Sequence, residues 1–160
     1  MNQATRAGLV AEMVSLLTKG QAHATFEEAT AGLTPDLWNR HVPEVPYTIW
    51  QLAEHVRIAQ EDILEFSLDA RHQSPPWPEG YWPAKTATAD EATWQATLHQ
   101  VQQVRQRFLD LLQNPATDLL ALLPHGTGQT LLREAFLIAD HAAYHTGEIL
   151  LVRRLLHAWK

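Results

Sequence analysis

The sequence predicts an all-α protein, a four-helix bundle with long crossover connections. Apolar residues recur at helical spacing in four long stretches, and capping-box patterns open several helices. No stretch alternates β-branched and polar residues over several positions, so strand signals are missing. The 160 residues are read as a single domain, 1–160, long enough to enclose a core.

The first helix is expected over 4–18, where Leu9, Val10, Met13, Leu16 and Leu17 share a face, and it stops near Gly20. Thr25-Phe-Glu-Glu28 has capping-box spacing and starts a short helix ended by Gly32; Thr34-Pro35 starts another over 35–40. HVPEVP, 41–46, is a linker. Thr48-Ile-Trp-Gln51 opens a long helix to about 69, with Leu52, Val56, Ala59, Ile63 and Leu64 in one broad stripe. SPPWPEGYWPAK, 74–85, holds four of the nine prolines and three aromatic residues, so it reads as an ordered crossover lying over the domain. Thr88-Ala-Asp-Glu91 is expected to cap a third long helix to about 113, ended by Asn114-Pro115, and the last helix is expected over 130–157. Connections this long permit parallel neighbours.

Composition removes several functional classes. The net charge is -6 with no Lys/Arg cluster, which disfavours a nucleic-acid partner. No apolar run approaches a membrane span of roughly 20 residues. Glu12 interrupts the stretch a signal peptide needs, so a cytoplasmic location is expected. Cysteine is absent, so any metal must take imidazole or carboxylate ligands. GTGQT, 126–130, lacks the Lys-Ser/Thr ending of a phosphate loop, and Glu-x-x-His and HExxH are both absent, which argues against di-iron and zincin chemistry.

His141 and His145 in DHAAYH stand four apart on one helix, so both rings reach one point, as two corners of a tetrahedral site require. The competing reading is one hydrogen-bonded core histidine and one at the rim. His55 is the best third ligand, since it shares the buried face of the second long helix. Three inward histidines each need a buried partner, and one divalent cation serves all three. Asp62 and Glu134, each seven positions from a ligand histidine, are candidate hydrogen-bond acceptors or bases, or simply solvated charges. Tyr144 is given supporting or packing duty beside His145. His23 and His125 stand in loops from which they can reach the mouth of a site, or sit solvated; His41, His72, His99 and His157 are assigned no role.

Trp50-x4-His55, together with His141-x2-Tyr144-His145-x-Gly147, resembles the DinB-like family of metal-binding four-helix bundles. The WPEGYWP crossover and the HGTGQTLLRE segment extend the resemblance over essentially the whole chain. It implies an up-up-down-down bundle, commonly a homodimer, with a divalent metal, often zinc or nickel, on His55, His141 and His145. Glu148 stands where many members have Gln; a carboxylate there either orients a ligand ring or faces solvent. Characterised relatives include thiol-dependent transferases and isomerases using bacillithiol or mycothiol. Two functions follow as expectations: metal-dependent transfer of a low-molecular-weight thiol to an electrophile, or a non-catalytic, stress-related module binding a metal or small molecule.

Overall fold

The structure, a computed structural model, describes residues 1–43 and 45–159; Glu44 of the HVPEVP linker lies outside the described residues. Among the described residues the elements are six α-helices: α1 (Gln3–Thr18), α2 (Phe26–Thr30), α3 (Pro35–Asn39), α4 (Ile49–Leu68), α5 (Glu91–Gln113) and α6 (Leu131–Leu155), with a 3-10 turn at Glu79–Tyr81. The anticipated capping boxes are present at Thr25/Glu28 and Thr48/Gln51, each side chain satisfying an amide the helix leaves free. Gly32 follows α2 with φ +67°, a conformation that favours glycine. One start differs from expectation. Asp90, not Thr88, caps α5, its carboxylate accepting from the Thr93 N–H at 2.8 Å.

Each long helix packs against two others: α4 on α5 and α6, and α1 on the same pair. Their directions correct the expected up-up-down-down order. The Trp50 indole donates to Thr97 Oγ1 (3.3 Å) near the starts of α4 and α5, and Arg107 pairs with Glu65 (2.8 Å) towards their ends, so these helices run parallel. Arg6 near the start of α1 donates to the Leu112 and Asn114 carbonyls at the end of α5 (3.0 and 2.7 Å). The start of α4 shares a core with Ile149 and Val152, and its end shares one with Leu131 and Ala135. So α1 and α6 run one way while α4 and α5 run the other, an up-down-down-up order.

The reason lies in where each connection goes. The segment between α1 and α4 does not cross the molecule; α2 and α3 fold over one end, where Phe26, Ala29 and Trp38 join the core around Ile49 and Leu52. The crossover between α4 and α5 does run back along the domain. Its return is held where the Gln51 amide, buried in α4, donates to the Ala84, Lys85 and Ala87 carbonyls at 3.1–3.3 Å. That path lays the Pro/aromatic segment against α4, beside His55.

Candidate metal centre

The apolar stripe of α4 turns His55 inward beside Leu52, Val56 and Ala59, leaving it 2% exposed. α6 brings His145, also buried, and half-buried His141 to the same place. A nitrogen from each ring lies within 4.8 Å of the others. The rings meet edge to face, with centroids 4.4 to 4.9 Å apart.

Hydrogen bonds set the tautomers. A carbonyl only accepts, so His55 Nδ1 carries a proton and donates it to the Tyr81 carbonyl at 2.8 Å. His145 Nδ1 donates to Glu148 Oε2 at 2.6 Å. Both rings therefore turn an Nε2 lone pair away from those partners. His141 Nε2 lies 3.1 Å from His55 Nε2, and its own Nδ1 is buried without a partner. Two nitrogens on one tetrahedral ion sit about 3.3 Å apart, close to that separation.

Burial keeps the cluster neutral. It is the main cause that lowers His141 and His145 to about 4, with charge repulsion among the rings adding to it, and it lowers His55 as well. Neutral imidazole is the metal-binding form. Three convergent imidazole nitrogens fit a divalent ion, and Tyr81 and Glu148 supply the outer hydrogen bonds that ligand histidines characteristically make.

A family model described as the DinB superfamily matches residues 20–149. The chain belongs to the DinB superfamily. The match covers α2 to α5 and most of α6, including all three histidines of this DinB-superfamily site. No curated protein and no solved structure matches the chain.

The remaining candidates separate cleanly. Glu148 faces the site through His145. Burial raises its carboxyl, with the Tyr144 side chain opposing the shift. Tyr144 is 64% exposed, its ring edge-on to His145 at 4.9 Å, so it lies over the ligand from outside rather than within the core. Asp62 is held two bonds out: its Oδ2 accepts from the Tyr81 hydroxyl at 2.6 Å and its Oδ1 pairs with His72 Nε2 at 2.7 Å. Glu134 is buried but pairs with Arg133 at 2.9 Å, outside the histidine cluster. His125 Nε2 bonds the Phe66 carbonyl (2.7 Å), towards the far end of α4 from His55. Exposed His23 bonds the Ala24 carbonyl (2.8 Å), so neither loop histidine belongs to the site.

Four contributors are not marked by the sequence. Tyr81 gives His55 its carbonyl acceptor, Trp82 stacks on His55 (centroids 3.7 Å, planes 6° apart), and Tyr47 stacks in turn on Trp82 at 3.8 Å. His72, assigned nothing, anchors Asp62. The density of prolines and aromatics in 74–85 signals that this segment covers something; which ring meets which histidine depends on a path across the fold that local patterns do not encode.

Proposed function

We propose that this DinB-superfamily chain is a divalent-metal protein whose His55, His141 and His145 hold the ion, zinc or nickel by donor chemistry, with a further coordination position open to a ligand. The observation that carries the reading is the triad: three imidazoles with nitrogens within 4.8 Å, two of them lining one cavity. A divalent ion held this way supplies Lewis acidity, lowering the pKa of a bound thiol or water. The chain's own part is to keep the three rings neutral, to orient His55 through the Tyr81 carbonyl and His145 through Glu148, and to limit water with the Trp82 stack. On this reading the protein is a metal-dependent enzyme that activates a low-molecular-weight thiol for transfer to an electrophile.

The alternative, a non-catalytic metal- or small-molecule-binding module of a stress-related kind, is favoured if the coordination sphere is closed by a fourth protein ligand. Metal analysis of the purified protein, followed by thiol-conjugation assays with and without chelator, separates the two. Near-stoichiometric metal, lost in the His141→Ala/His145→Ala double variant, is expected; metal retained there sinks the site. Metal without thiol consumption on any model electrophile favours the binding module.

The proposal extends to a cytoplasmic homodimer built as a four-helix bundle. Among the described residues no helix is long and apolar enough to cross a membrane. Phe136, Tyr144, Leu151 and Leu155 stand exposed within an arc of about 100° on α6, interspersed with exposed Arg133, Asp140 and Arg154, a mixed face that a second copy would cover. Sedimentation analysis decides it, a monomer at micromolar concentration counting against the dimer.

A further inference from the structure

Beside the triad lies a cavity of about 230 Å³, bounded at one end by His55 and His141. Its walls are the side chains of Ile63, Leu137 and Trp77, with Tyr81 and Asp62 completing it. Among the described residues no Lys or Arg lines it. The one carboxylate, Asp62, has both oxygens engaged, by His72 and by the Tyr81 hydroxyl. Its polar parts are the imidazole corner and the Asp62–Tyr81 pair, and Ala59, Ile63, Leu137 and Trp77 make the rest an apolar wall.

Size and chemistry together select a ligand class. A closed cavity of about 150 Å³ admits benzene. This pocket of about 230 Å³ is open on the side where Trp77 is 72% exposed, so it seats one ring on a short arm with its outer edge toward solvent. The hydroxyls and charges of a sugar or peptide body gain nothing from Ala59, Ile63, Leu137 and Trp77, whereas an apolar ring laid on them leaves water. We propose that this cavity binds a small monocyclic apolar body, one aromatic ring on a one- or two-atom arm, whose donor atom reaches the His55–His141 corner. Trp77 and Leu137 are the specificity-determining residues. The inference rests on the metal reading above and names the ligand class of that same site.

The test uses the cobalt(II)-loaded protein and two probes, phenylmethanethiol and 2-hydroxyethanethiol, titrated by the thiolate-to-cobalt absorption. Phenylmethanethiol is expected to bind at least about tenfold more tightly, because only its ring gains from the apolar walls. Leu137→Trp fills the cavity and Trp77→Ala opens it; both keep cobalt, and both reduce the preference to below about threefold. Trp77 is 72% exposed, so its removal leaves the fold intact even if the larger substitution at Leu137 does not. Equal affinity for the two thiols in the unsubstituted protein overturns the proposal, as does an undiminished preference in Trp77→Ala. Failure to load cobalt appears before any thiol is added; it overturns the metal reading and this proposal with it.

Discussion

His145 Nδ1 donates to the Glu148 carboxylate at 2.6 Å, a bond between residues three apart on α6 that turns the other ring nitrogen toward His55 and His141. Glu148→Ala leaves the His145 ring unoriented, and metal affinity is expected to fall about 10–100-fold. Glu148→Gln keeps an acceptor oxygen and should recover most of that loss. Competition with a chromogenic chelator measures both. Equal affinity in Glu148→Ala and the parent would show that the carboxylate serves solvation alone.

The triad makes stability depend on pH in a defined direction. His141 and His145 stay neutral in the folded protein down to about 4, and His55 is also lowered, whereas unfolded histidines protonate near 6.5. Between those values the unfolded chain binds more protons, so stability of the metal-free protein falls as pH drops from about 6.5 to about 4. Below that window this contribution levels off. Urea unfolding of chelated protein at several pH values tests the slope. Alanine at His141 and His145 should flatten it. With metal bound, protons compete for the same nitrogens, so metal release is expected on the same acid side.

Tyr81 connects His55 to Asp62, its carbonyl accepting from the ring and its hydroxyl donating to the carboxylate. Burial, reinforced by Asp62, pushes the Tyr81 phenol up to about 12, so it remains a donor throughout the neutral range. Tyr81→Phe removes a hydrogen bond to a charged acceptor, at a cost of about 1.5–3 kcal/mol. Metal affinity should change little, because the backbone carbonyl remains. Asp62→Ala should cost more, since His72 loses its partner as well. Denaturant midpoints and metal titration together separate the two effects.

Arg153 ties α6 to the capping segment. Its guanidinium donates to the Ala29 and Ala31 carbonyls (2.7 and 3.0 Å) and to the Ala158 carbonyl (3.0 Å), and lies over the Trp159 ring at 4.7 Å. Arg153→Met strands carbonyls in a part-buried setting and is expected to cost about 3 kcal/mol, or roughly 6–12 °C in Tm. Calorimetry reads this directly. A shift under 2 °C, by the same scaling about 0.5–1 kcal/mol, would mean water replaces the clamp.

What the sequence by itself determined is local. Thr25 and Thr48 start helices because their hydroxyls and the acidic or amide side chain three residues on bond the amides of the same turn. The His141/His145 pair follows equally from helical geometry, and His55 from the apolar stripe of α4. Tertiary structure decided the rest. The up-down-down-up order depends on whether a connection caps one end or runs back along the domain, and loop length permits either. The acceptor of His55, the stack of Trp82 and the pairing of Asp62 with His72 all join residues of α4 to the crossover. Those contacts arise because the crossover must return along α4 to start α5 beside it, a constraint of packing that no local spacing carries.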